Sequence, residues 1–62
     1  MIKENRIKKG YTQEQLSEII GISPRHMQRI ERNEYATTLD TIRKIIKTLD
    51  IPDDEIVEYM KH

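Results

Sequence analysis

The sequence predicts an all-α fold, a compact bundle of five short helices in which the second and third form a helix-turn-helix. Two observations lead to it. The stretch TQEQLSEIIGISPRHMQRIE, residues 12–31, holds two helix-start signals separated by a single stop. Elsewhere apolar residues recur at helical spacing, with no alternating run that would mark a strand and no internal repeat. The chain has 62 residues and no cysteine, so packing alone must hold what is a single small domain.

The first helix is expected over residues 2–9, which lack Gly and Pro and are followed by Gly10 as a stop. Two turns are too few to persist without tertiary contacts. Ile2 and Tyr11 are the expected anchors in the core, Lys3, Lys8 and Lys9 the solvated face, and Ile7 falls one step off the face of Ile2 and Arg6. Thr12 with Gln15 three residues on has the form of a capping box and opens the second helix. Its apolar residues are Leu16, Ile19 and Ile20, and Gly21 ends it in the left-handed conformation.

Ser23 caps the third helix and Pro24 takes its first position, where a missing N–H costs nothing. Only Ile22 lies between the Gly21 stop and the Ser23 cap, so these two helices must cross steeply rather than run side by side. Met27 and Ile30 mark the inward face, and Asn33 is expected as a left-handed stop in the loop that follows. Thr38 caps a fourth and longest helix with a broad apolar face of Leu39, Ile42, Ile45, Ile46 and Leu49. Asp40 in its first turn and Lys47 in its last suit the helix dipole. Pro52 is expected to start the fifth helix, with Asp53, Asp54 and Glu55 in its first turn and Ile56, Val57, Tyr59 and Met60 offering apolar surface.

Formal net charge is zero, but its distribution is uneven. Residues 1–49 hold ten Lys and Arg against six Asp and Glu, a net +4, whereas residues 50–62 hold one against five, a net −4. Acidity is thus segregated at one end and the rest of the domain is basic. No run approaches the roughly 20 apolar residues of a membrane span. The start, MIKENRIKKG, lacks the apolar segment of a secretory signal, so a cytoplasmic location is the simplest expectation.

The stretches RIKKGYTQEQLSEIIGIS, MQRIERN and LDTIRKIIKTLDIPDDEI resemble the Cro and phage-repressor (XRE) family of DNA-binding domains, with the lambda-repressor-like fold. Arg6, Gly10, Thr12-Gln13, Ser17, Gly21 and Ile30-Glu31-Arg32-Asn33 match the family pattern, over nearly the whole chain. Four positions depart from it: Asn5 stands where an apolar residue is frequent, Asn33 where Gly is usual, Thr37 where Pro is frequent, and Asp53 where an apolar residue often begins the fifth helix. The resemblance implies the same five-helix fold with the third helix, about residues 23–32, entering the major groove of duplex DNA.

Because Met27 and Ile30 point inward, Arg25, Gln28, Arg29 and Arg32 project outward. Arg can bond both O6 and N7 of guanine, and Gln N6 and N7 of adenine. In the resemblance Pro24, Arg25, Gln28 and Arg29 match base-reading positions, Pro24 offering apolar contact only. Gln13, at the amide-rich start of the second helix, is placed for a phosphate, and Ser23, Arg32, Asn33, Tyr35 and Thr38 are further phosphate candidates. Arg6 and Glu31 match positions that form an internal ion pair in the family, a structural role.

The plainer readings weigh against other chemistry. Ser17 is better read as a small residue at a helix crossing than as a nucleophile. His26 and His62, without cysteine, make no metal site, and no catalytic residues, cofactor or small-molecule ligand are evident. The expected function is a transcriptional regulator, a repressor, that binds double-stranded DNA. A module this small gains specificity from a second copy on a half-site about one helical turn away, so a homodimer is expected. Its surface would be Ile56, Val57, Tyr59 and Met60, which could equally close the domain from below. The rival is a protein-interaction module of the same fold, such as an antitoxin or adaptor docking a partner on the fifth helix.

Overall fold

Short helices depend on their ends, because each leaves four amides and four carbonyls without an internal partner. In the computed structural model, which describes residues 1–61, hydroxyl side chains open three of the five helices. Helix α1 spans Ile2–Lys9, α2 Gln13–Ile20, α3 Pro24–Arg32, α4 Leu39–Leu49 and α5 Asp53–Met60. At α2 the Gln15 amide donates to Thr12 Oγ1 at 3.0 Å while the Thr12 amide donates to Gln15 Oε1 at 2.9 Å, a closed capping box. The His26 amide donates to Ser23 Oγ at 3.1 Å and the Thr41 amide to Thr38 Oγ1 at 3.2 Å, opening α3 and α4.

Helix α1 opens through charge instead. The Met1 ammonium lies 2.7 Å from Glu4 Oε1 and 3.2 Å from Glu34 Oε2, and the Ile2 amide donates to Glu34 Oε2 at 2.6 Å. Burial pushes the pKa of that ammonium down, but the hydrogen bonds and charges of Glu4 and Glu34 outweigh it and hold it above the ordinary value. The hydrogen bond from the ammonium is in turn the main reason that the Glu4 carboxyl titrates below the usual range.

Gly10 (φ 82°) and Gly21 (φ 89°) end α1 and α2 in the left-handed region. The left-handed stop expected at Asn33 is absent: Asn33 is extended, with φ −145° and ψ 98°. Its side chain turns the chain instead, Oδ1 accepting from the Tyr35 amide at 3.2 Å and its carbonyl from the Ala36 amide at 3.0 Å, the local bonding by which Asn competes with a helix end. The left-handed non-glycine is Asp50 (φ 56°), which closes α4. Pro52, expected as the first residue of α5, precedes it as the cap, because its ψ of 148° is not helical.

Ile2, Leu16, Ile20, Met27, Ile30, Ile42, Ile45, Leu49 and Ile51 form one core, where α2 lies against α3 and both α1 and α2 lie against α4. Tyr11 packs against this core half-buried. Two residues of the apolar patterns on α2 and α4 are outside it. Ile19 is 54% exposed, since the buried face of α2 centres on Leu16, Ser17 and Ile20 and leaves Ile19 on the far flank. Leu39 is 57% exposed, standing at the first position of α4 while Ile42, Ile45 and Leu49 make its core contact. Ile7 is likewise exposed.

Asn5, in place of an apolar residue, is buried with both N–H groups of its amide nitrogen bonded: Nδ2 donates to the Met1 carbonyl at 2.7 Å and to Glu55 Oε1 at 2.9 Å, tying α1 to α5. The four apolar residues of α5 split. Ile56 and Tyr59 pack half-buried against the core, whereas Val57 and Met60 are 53% and 66% exposed. No helix among the described residues is long and apolar enough to cross a membrane.

The core assignment makes a direct prediction. Ile45→Ala should lower the unfolding free energy by about 2–5 kcal/mol through the cavity it leaves, while Ile19→Ala should stay within about 0.5 kcal/mol of the parent. Urea denaturation of both variants checks it; comparable losses would show that Ile19 is packed.

Candidate nucleic-acid interface

The outward face of α3 is built by contrast with its inward one. Met27 and Ile30 are wholly buried, so the helical period leaves Arg25, Gln28, Arg29 and Arg32 exposed on the other side. These four line a shallow groove of about 260 Å³. Among the described residues, Arg25, Arg29 and Arg32 take part in no ion pair, which leaves three guanidinium groups facing solvent without a counter-charge. A second groove of about 420 Å³ runs beside it, between the start of α2 and the start of α3, with Arg6, Thr12, Gln13, Pro24 and Gln28 in its wall. Gln28 belongs to both, so the two form one polar track from the first turn of α2 across α3.

The turn between the helices is tight. The Gly21 and Ile22 amides both donate to the Ser17 carbonyl, at 2.8 and 3.0 Å, and Ser23 already caps α3. Ser17 is buried, its Oγ donating to the carbonyls of Gln13 and Glu14 at 2.8 and 3.0 Å, and lies on the packed side of α2.

Arg6 and Glu31 set how α1 meets α3. Arg6 Nε lies 2.7 Å and Nη2 3.2 Å from the two Glu31 oxygens, a bidentate pair, and Nη1 donates to the Tyr11 carbonyl at 2.9 Å. Their side chains are 10% and 5% exposed. Gln13 Nε2 donates to the same Glu31 Oε1 at 3.1 Å, so the Gln13 amide nitrogen is engaged within the protein.

The remaining phosphate candidates differ in what they still offer. Ser23 and Thr38 use their hydroxyls as helix caps, and Asn33 uses Oδ1 in its turn. Tyr35 is stacked on Tyr59, with ring centroids 4.6 Å apart and planes 7° from parallel. Tyr59 is turned inward, its hydroxyl donating to the Glu34 carbonyl at 2.7 Å. Burial first, then the neighbouring Tyr35 and Glu34, raises the pKa of that hydroxyl and keeps it a donor at neutral pH.

A family model described as helix-turn-helix matches residues 2–56. The chain belongs to the XRE-type helix-turn-helix family. It is similar to an uncharacterized HTH-type transcriptional regulator, YgzD, of Bacillus subtilis (strain 168), with 31% identity over 55 residues that span 89% of this chain and 83% of that protein. No solved structure matches the chain at a significant level. This helix-turn-helix family is one of DNA-binding transcription regulators.

Two residues of this helix-turn-helix domain carry structural roles that no local pattern announces. Glu34 receives the Ile2 amide and the Met1 ammonium, and Tyr59 holds the Glu34 carbonyl; in both cases the partners come from distant parts of the chain. His62, considered with His26 for metal binding, lies outside the described residues. No cluster of three His, Cys, Asp or Glu able to hold a metal occurs among the described residues.

Leaving one charge of the Arg6–Glu31 pair buried alone costs about 3–5 kcal/mol, most of the stability of a domain this small. Arg6→Met and Glu31→Leu are therefore each expected to lose most helical circular dichroism at room temperature. The double variant Arg6→Met/Glu31→Leu should recover it. A double variant no better folded than the singles would show that the pair acts through something other than an unmatched charge.

Proposed function

We propose that this protein is a sequence-specific transcriptional repressor that binds double-stranded DNA as a homodimer and reads the major groove with α3. The observation that carries it is the groove of three guanidinium groups, in no ion pair among the described residues, and one amide on the outward face of α3, continuous with the amide-rich start of α2. Arg25, Gln28 and Arg29, with Pro24 as an apolar contact, are assigned to bases. Arg32, Gln13, Ser23, Asn33, Tyr35 and Thr38 are assigned to the phosphate backbone, Gln13 through its main chain and carbonyl side since its amide nitrogen is engaged. The rival role, a protein-docking module, gives the arginine groove nothing to do.

The second copy is assigned to the exposed side of α5. Val57 and Met60 share that side with Asp53 one turn before Val57 and Lys61 one turn after it. Two such helices packed antiparallel about a two-fold axis bring each Asp53 toward the partner copy's Lys61 while Val57 and Met60 are covered.

Selection of bound sequences from a random duplex pool tests the proposal. A pseudo-palindromic site with half-sites about one turn apart, and affinity that falls steeply with salt, is the expected result. Arg29→Ala should then cost about 1–3 kcal/mol and relax preference at one base pair, whereas Arg32→Ala should weaken all sequences alike and lower the salt slope by about 0.9. Identical behaviour of the two variants would overturn the division between base and phosphate contacts. Val57→Glu should keep affinity for one half-site and lose cooperative binding to two, as read by gel shift on single and paired sites.

A further inference from the structure

The loop that leaves α3 is held from outside itself. Within residues 33–38, Asn33 accepts from the Tyr35 and Ala36 amides, and most of the side chains are exposed. What fixes the middle of this loop comes from α5: the Tyr59 hydroxyl donates to the Glu34 carbonyl at 2.7 Å, and the Tyr59 ring covers the Tyr35 ring at 4.6 Å. The Glu34 carboxylate is separately anchored to the start of α1. The loop thus carries three of the assigned phosphate contacts, Asn33, Tyr35 and Thr38, and one of its holds is a residue 21 or more positions later in the sequence.

We infer that Tyr59 is a positioning residue for DNA binding: without touching the duplex, it sets the loop 33–38 in the one geometry that meets the phosphate backbone. The inference rests on the DNA-binding function proposed above. Two features make Tyr59 suited to the task. It offers two attachments of different kinds to adjacent residues, a hydrogen bond to the Glu34 main chain and a ring face to the Tyr35 side chain, which together restrict both displacement and rotation of the loop. Its hydroxyl also stays protonated at neutral pH, so the donor is always present. Groups that contact a ligand are useful only when a supporting layer holds them to within about 0.5 Å, and Tyr59 supplies that layer here.

Tyr59→Phe keeps the ring and removes the donor, and Tyr59→Leu removes both. In the free protein, hydrogen exchange of the Tyr35 and Ala36 amides is expected to quicken from parent to Phe to Leu variant. On the duplex that the parent selects, affinity should fall about 3-fold for the Phe variant and about 10-fold for the Leu variant, with base preference unchanged and the salt slope reduced. Ile45→Val, a core change in the middle of α4, serves as a destabilised control that should leave loop exchange and affinity at parental values below its melting range. A parent that binds DNA, with Tyr59→Leu indistinguishable from that control in exchange and affinity, overturns the inference alone. A parent that selects no duplex overturns the proposed function and this inference with it.

Discussion

The arrangement of the first three helices depends on one carboxylate. Glu31 sits near the end of α3 with its side chain 5% exposed, and it accepts from Arg6 Nε, Arg6 Nη2 and Gln13 Nε2. One residue from each of α1 and α2 therefore converges on α3 at a single point. A buried ion pair adds little net stability over apolar residues of the same size, because desolvating two charges offsets most of their attraction. Its effect is geometric. The fork of the guanidinium fits both carboxylate oxygens in only one orientation, so the pair fixes the rotation of α3 about its own axis. That rotation decides which residues of α3 face outward. Because the Glu31 charge is matched by Arg6, it does not neutralise Arg25, Arg29 or Arg32.

Much of this was legible in the sequence where the deciding interaction is local. Thr12, Ser23 and Thr38 mark helix starts because a cap acts within three residues, and Met27 with Ile30 mark the inside of α3 because helical period alone sets the spacing. The misreadings share a different character. Asn33 and Asp50 both can adopt left-handed backbone, and which does so is settled by whether the side chain finds a closer bond; Asn33 found the Tyr35 amide. Leu39 and Ile19 fit an apolar pattern, but burial requires something packed opposite, which the pattern does not contain. The division of α5 into a packed side and an open side follows from Asn5 and Glu34, which lie far from it in sequence. The outward position of the α3 residues was legible; the engagement of Gln13 by Glu31 and the stacking of Tyr35 by Tyr59 were not.

Helix α5 is attached differently from the other four. None of its residues is wholly buried, and besides the partial packing of Ile56 and Tyr59 it is held by the Asn5 amide on Glu55 and the Tyr59 hydroxyl on Glu34. Such an element, with little buried apolar area and a few specific polar ties, belongs to the part of a domain that opens most easily. Its two sides serve different neighbours: Tyr59 turns to the loop after α3, while Val57 and Met60 turn to solvent. The open side and the side that holds the loop are thus separated by a single turn of helix.

The segregation of charge bears on how such a domain searches a genome. A molecule with a net +4 over residues 1–49 and a net −4 over residues 50–62 has no overall charge to draw it toward a distant polyanion. A distant field turns it without pulling it, and beyond a screening length of about 8 Å even that torque fades. Attraction begins only when the arginine groove is already near phosphates. On the proposed function, contact with unrelated sequence is held by that groove alone and opposed by the carboxylates of α5. On the proposed function, this balance of charge favours short visits to DNA over long sliding.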